Sequence, residues 1–192
     1  MRDAGWLDKW KALIDGQSAS PAILELGCGS GRDTRWLAGE GYAHITAADL
    51  SRDALLECRN AVPSAQYACL DLREGLPFSG GRFDVVIASL CLHYFTWNET
   101  TGIVREIRRC LADGGVLVCR MNSTKDVHYG AAGYRALARH YYDVEGKAKR
   151  FFDEDDMIRL FGGDWECLSR REITIDRYEK PKTVWEAALR KR

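Results

Sequence analysis

Residues 22–40, AILELGCGSGRDTRWLAGE, set three glycines two apart between a short apolar run and a stretch with helical residue preferences. Glycine reaches positive φ and leaves bare backbone for another group to approach. An apolar run that stops at glycines and resumes as a helix reads as a buried strand turning tightly into a helix. A strand–turn–helix unit of this kind opens a right-handed βαβ crossover, and that crossover requires a parallel sheet.

The same alternation continues through the first two thirds of the chain. Trp6, Leu7, Trp10, Leu13 and Ile14 recur at helical spacing and predict an amphipathic helix near residues 5–15. Further helices are expected over 34–40, 52–60 and 99–111. Further strands are expected from His44, from Ala65, over FDVVIASLCL and from Gly114. Val85, Val86 and Ile87 suit a strand buried on both faces. Asp153 opens a short helix with Met157, Leu160 and Phe161 on one side. WECLSRREITI and KTVWEAAL then follow with no helix between them, which predicts an antiparallel pair closing the sheet. The fold class is α/β, a Rossmann-like doubly wound sheet, mostly parallel, with helices on both faces. The stretch from Ser123 to Arg150 is the least regular part and is rich in Tyr, His and Arg.

Charge and composition narrow the partners. The 192 residues carry formal net charge zero, which lacks the footprint of a general nucleic-acid binder. No apolar stretch is long enough for a membrane span, and the N-terminal residues have no signal-peptide h-region. Seven cysteines at irregular spacing, without a CxxC, argue against a disulfide framework or a zinc site. Reduced thiols in a cytoplasm are the expectation.

In a doubly wound sheet, ligands bind off the carboxyl ends of the strands. Gly27, Gly29 and Gly31 lie at such an end. Asp49 closes the next strand about twenty residues on, where an acidic side chain can take both ribose hydroxyls. A nucleoside is therefore expected. A dinucleotide fingerprint would need its third glycine at Arg32, and no GK[ST] follows, so neither a nicotinamide site nor a P-loop is predicted. The competing reading is a tight turn that binds nothing, with Asp49 as a helix cap.

ILELGCGSG, AADLS, CLDLREGLPF, FDVVIASLCLHYF and CLADGGVLVCRMN together resemble the successive motifs of class I S-adenosylmethionine-dependent methyltransferases. The resemblance covers residues 22–122. GCGSGRDTRWLAGEGY is also similar to the small tellurite-resistance-type methyltransferases. The resemblance implies a seven-stranded sheet with its last strand antiparallel, S-adenosyl-L-methionine across its carboxyl edge, and S-adenosyl-L-homocysteine as product. It implies Glu25 and Gly27 beside the methionine part, Cys28 as a further cofactor-binding residue, Gly29 and Gly31 shaping the loop, and Asp49 on the ribose. Asp71 would accept from the adenine amino group, Leu50 and Leu72 would sandwich the ring, and Ala88 and Ser89 would offer backbone groups. The chain then reads as one domain over 1–192. It divides into an N-terminal helix or lid (1–20), a cofactor-binding core (22–122), a substrate lid (123–150) and a helix with the closing strand pair (151–192).

Methyl transfer needs an attacking lone pair in line with the S–CH3 bond, so the protein supplies alignment and a dry site rather than a metal. His93 follows the fourth strand, at the ligand edge. It and Tyr142 are the candidate catalytic residues, with His93 open to both a general-base and a packing role. Trp6, Trp10, Tyr94, Arg120, Asn122, His128, Tyr129, Tyr141 and Arg150 are candidate acceptor contacts, with Trp97, Tyr134 and Phe152 as further walls. Neutral charge, and the lack of an Asn-Pro-Pro-Tyr-type element after the fourth strand, favour a small-molecule acceptor. The expectation is a cytoplasmic methyltransferase, without nucleic-acid or membrane partners, as a monomer or weak dimer. The alternative is a cofactor-binding regulator or scaffold without catalysis.

Overall fold

A computed structural model describes residues 5–176 and 178–192. In chain order the elements are α1 (Lys11–Asp15), β1 (Ala22–Leu26), α2 (Arg32–Gly39), β2 (His44–Asp49), α3 (Arg52–Ala61), β3 (Gln66–Cys69), β4 (Phe83–Ser89), α4 (Trp97–Cys110) and β5 (Leu111–Asn122). There follow β6 (Arg135–Ala138), β7 (Tyr141–Val144), β8 (Lys147–Arg150), α5 (Glu154–Leu160), β9 (Trp165–Ile175) and β10 (Lys182–Lys191).

Seven strands form one sheet in the order β3-β2-β1-β4-β5-β10-β9. β1 to β5 pair in parallel, while β10 runs antiparallel to both β5 and β9. Six strands therefore share one direction, and the last strand of the chain is inserted against them. The order reverses between β1 and β4, which makes a crevice at their carboxyl ends.

Strand alternation sorts the core into two layers. Leu24, Leu26, Val86, Ala88 and Leu117 pack on the side of α4 and α5, with Ile103, Ile107, Met157 and Leu160. Ile23, Ile45, Val85, Ile87 and Val118 pack on the other side with Leu37 of α2, Ile14 of α1, Leu7 and Trp6. The helices start where their caps dictate. Ser51 accepts from Ala54 at α3, and Thr96–Glu99 and Asp153–Asp156 form capping boxes at α4 and α5. Among the described residues no helix is long and apolar enough to cross a membrane.

Two expectations change. The N-terminal helix is shorter than its pattern, a 3-10 turn over Asp8–Trp10 running into one turn of α1, and residues 1–4 of the 1–20 segment lie outside the described residues. The segment read as irregular, 123–150, contains a second, three-stranded antiparallel sheet, β6-β7-β8. Its pattern hid it because β6 is exposed along its whole length and shows no alternation. Its turn chemistry is visible in hindsight. Two residues, Glu145 and Gly146, join β7 to β8 with φ of 54° and 78°, the positive pair that a tight hairpin demands.

Candidate active site

The carboxyl ends of β1, β2, β3 and β4 surround an open cavity of about 1090 Å3. Gly27 forms its floor at the end of β1. Asp49, Leu50 and Ser51 follow β2, and Leu70, Asp71, Leu72 and Arg73 follow β3. Leu90, Cys91 and Tyr94 come from the end of β4, and Tyr141, Lys147 and Ala148 close over it from the small sheet.

The glycine loop is held by its own neighbours. Gly27 and Cys28 both donate backbone N–H to the Ala48 carbonyl, at 2.8 and 3.1 Å. All three glycines have positive φ, between 53° and 84°. The space they clear differs. A Cβ on Gly27 would lie 2.4 Å from Cys91 Cβ, and one on Gly31 would lie 2.4 Å from Cys58 Sγ. A Cβ on Gly29 would meet nothing within 4 Å. An added Cβ on Gly27 or Gly31 would thus collide with protein, and one on Gly29 would not. The Gly29 amide is also the one that Asp49 accepts.

Leu50 is 63% exposed and Leu72 is half-buried, both on the cavity wall. An apolar side chain left open beside carboxylates is the lining an aromatic base with a polar edge would cover. Asp71 caps the turn that follows β3 and accepts from the Arg73 backbone and guanidinium. Those bonds hold its carboxyl below the usual range. The cavity's floor, its acidic groups and its volume fit a nucleoside cofactor.

Other predicted residues lie elsewhere. Glu25 is buried beneath the loop and does not line the cavity. It accepts from Thr34 Oγ1 at 2.5 Å, and burial pushes its carboxyl up to about 8. Cys28 is buried, and Sγ points to the Gly29 carbonyl. Ala88 and Ser89 are inside β4, and the residues that reach the cavity are the next two, Leu90 and Cys91. Leu90 has φ of 56°, a conformation that costs a non-glycine residue about 1–3 kcal/mol and concentrates at functional sites. Nothing local in SLCLHYF marks it.

The candidate acceptor contacts divide into groups. Tyr94 and Tyr141 line the large cavity. Arg150 is buried behind Tyr141, with its guanidinium 4.8 Å from that ring and bonded to the Phe95 and Arg139 carbonyls. His93, Asn122 and Tyr129 line a smaller neighbouring cavity, together with Tyr94. His128 is exposed on a separate groove with Tyr134.

Tyr142 faces away from the large cavity. It is paired with Lys149 and its ring lies 5.9 Å from Phe151, because a strand sends neighbours to opposite faces and Tyr141 takes the inner one. Arg120 is not at the ligand edge either. It is 2% exposed, pairs with Glu186 at 2.9 Å and stacks over Trp6 at 4.3 Å. Trp6 donates to Asp33 and lines a separate crevice beside α2, and Trp10 packs with the same layer. Phe152 and Trp97 belong to the core on the α4 side. Sequence reasoning missed Ser51, Arg73, Phe95, Thr96, Glu99, Lys147 and Ala148 on the cavity wall. Thr96 and Glu99 carried a capping-box signal, but a cap does not announce that its far side faces a ligand.

Known proteins resemble this chain in sequence and in fold. A family model for a methyltransferase domain matches residues 23–115. An uncharacterized methyltransferase from Synechocystis is 37% identical over 99 residues, covering 52% of this chain and 46% of that protein. The chain spans about half the length of the curated relatives it matches. The crystal structure of an S-adenosylmethionine-dependent methyltransferase from Methanosarcina mazei superposes with TM-score 0.79 at 18% identity, over 93% of this chain and 96% of that one. The Burkholderia thailandensis 1,6-didemethyltoxoflavin-N1-methyltransferase, solved with its substrate and S-adenosylhomocysteine, superposes with TM-score 0.72 at 18% identity, over 98% and 79%. A methyltransferase-domain model thus matches residues 23–115, and the chain has the fold of S-adenosylmethionine-dependent methyltransferases of known structure.

Proposed function

We propose that this protein transfers a methyl group from S-adenosylmethionine to a small-molecule acceptor. The observation that carries this reading is the large cavity at the sheet's switch point, which Gly27, Asp49, Leu50, Asp71 and Leu72 all line. The Burkholderia neighbour, which binds S-adenosylhomocysteine and a small acceptor on the same fold, supports it.

When bound, the cofactor supplies a methyl group on a sulfonium, already activated for displacement. The chain's own residues bind and align. Each Asp49 oxygen accepts one backbone N–H and keeps a second lone pair for a ribose hydroxyl. Leu50 and Leu72 would cover the faces of the base, and Asp71, which accepts from Arg73, would also take its amino edge. Tyr94 and Tyr141, on the cavity wall, would flank the bound cofactor and acceptor. His93 is fully buried, and burial with nearby Lys182 and Lys149 pushes it down to about 3. A ring so depressed is a weak base at neutral pH, so we assign it to orienting the acceptor rather than to taking its proton.

Calorimetry with S-adenosylhomocysteine, with NADH as control, tests the cofactor. A metabolite panel scored for S-adenosylhomocysteine production tests the reaction. Heat with NADH and none with S-adenosylhomocysteine would overturn the reading. Binding without turnover across the panel would favour a non-catalytic cofactor-binding protein.

A further inference from the structure

A second cavity, of about 150 Å3, adjoins the large one. Leu90 and Tyr94 line both, so these two side chains form the partition. Leu90 is held at its positive φ with its N–H on the Arg120 carbonyl.

Two side chains in the small cavity carry polar atoms with nothing to bond. His93 is 4% exposed and Asn122 is 1% exposed, and His93 Nδ1 and Asn122 Oδ1 are buried without hydrogen-bond partners among the described residues. Asn122 Nδ2 reaches the Arg150 carbonyl, which leaves Oδ1 turned as an acceptor. A buried polar atom left unpaired costs about 1–3 kcal/mol. Native structures retain few of them, and each asks for a ligand or water.

The charge lining this cavity has one sign. Lys149 and Lys182 line it, and among the described residues no carboxylate does. Lys182 bonds Asp126 at 2.6 Å, outside the lining. Among the described residues no acidic group pairs with Lys149, which is half-buried. The remaining walls are aromatic. Tyr129 and Tyr178 lie 5.4 Å apart, and Tyr94 lies 4.1 Å from the His93 ring.

We infer that this cavity receives the methyl acceptor, and that the acceptor is a small planar acid carrying one hydrogen-bond donor. Its anionic group meets Lys149 and the free N–H bonds of Lys182. Its donor meets Asn122 Oδ1, and its plane lies among the tyrosines. The inference rests on the methyltransferase reading above and narrows it to a substrate class. One oxygen of the ionised acid is the nucleophile: as its O–CH3 bond forms the S–CH3 bond breaks, the sulfonium takes the electron pair and leaves as neutral S-adenosylhomocysteine, and no proton has to be removed, in keeping with the weakly basic His93.

The test uses the full chain saturated with S-adenosylhomocysteine, so that Lys147 and Arg73 in the large cavity are covered. The probes are 4-hydroxybenzoate, its amide 4-hydroxybenzamide, and benzoate. Affinity is read by calorimetry and by saturation-transfer NMR. The acid should bind about tenfold or more tightly than the amide, as expected for a charged hydrogen bond. Benzoate, which lacks the donor, should fall between them. Lys149→Gln should abolish the preference for the acid, Lys149→Arg should keep it, and both should leave S-adenosylhomocysteine affinity unchanged.

Equal affinity for acid and amide, or a preference that survives Lys149→Gln, overturns the inference. So does the absence of acid binding by protein that binds S-adenosylhomocysteine. Failure to bind S-adenosylhomocysteine itself overturns the methyltransferase reading, and the acceptor assignment with it.

Discussion

Asp49 closes the glycine loop onto the sheet: Oδ2 accepts the Gly29 N–H at 2.8 Å while Oδ1 accepts the Ser51 N–H at 2.9 Å. One carboxylate thus ties the end of β1 to the start of α3, and the same group faces the cavity. Its two duties should separate on mutation. Asp49→Ala should weaken S-adenosylhomocysteine binding by about ten- to a hundredfold, the cost of a lost charged acceptor. It should also speed hydrogen exchange at the Gly29 amide. Asp49→Asn, which keeps an acceptor, should lose less on both counts. Unchanged affinity in Asp49→Ala would reduce the residue to a loop clasp.

The three loop glycines should not be equivalent. Gly29→Ala meets open space, so its cost is the positive φ alone, about 1–2 kcal/mol. Gly31→Ala must also push Cys58, and Gly27→Ala must push Cys91, so both should destabilise more. Adding Cys58→Ala to Gly31→Ala should recover part of that loss, because the nearest atom, Sγ, is gone. Urea denaturation of the set decides it. An additive double mutant would mean the sulfur is not what the glycine avoids.

Glu25 makes stability depend on pH in an unusual direction for a carboxyl. Burial raises its folded value to about 8, from an ordinary 4.5. Between those values the folded state holds a proton that the unfolded state has released, so stability falls as pH rises. The contribution is whole below about 4.5 and lost through about 8. Glu25→Gln keeps an acceptor for Thr34 and removes the titration. Its stability relative to the parent should therefore climb between pH 5 and pH 8, by a few kcal/mol in order of magnitude. Parallel curves for the two proteins across that range would contradict the buried, protonated assignment.

Arg120 should behave as a structural residue. It pairs with Glu186, which also meets Lys9, inside the layer that holds Trp6. Arg120→Met leaves a buried carboxylate poorly compensated, and should cost about 3–5 kcal/mol. Arg120→Met with Glu186→Leu should regain much of it. Thermal melts of the single and double variants test this, and turnover of the double variant should stay near that of the parent. A stable single variant with a raised KM for the acceptor would return Arg120 to the site.

Local pattern decides the larger part of this fold. The apolar runs ending at Leu26, Asp49 and Ser89 meet helices or turns at fixed offsets, and short-range sterics suffice to build each βα unit. The positive φ of the glycine loop and the proximity of Asp49 follow from the same local grammar, since both lie within one βαβ unit. Neighbours far apart in the chain are another matter. Nothing local pairs Gly27 with Cys91 or Gly31 with Cys58, so what those glycines avoid is set by packing. Tyr141 faces the cavity and Tyr142 does not because a two-residue turn at Glu145 and Gly146 sets the register of β7 on β8. A shift of one residue would exchange them. Arg120 reads as a strand-end cation until β10 brings Glu186 directly opposite it. Side-chain partners across a sheet depend on strand order and register, and those are decided only when the whole chain closes.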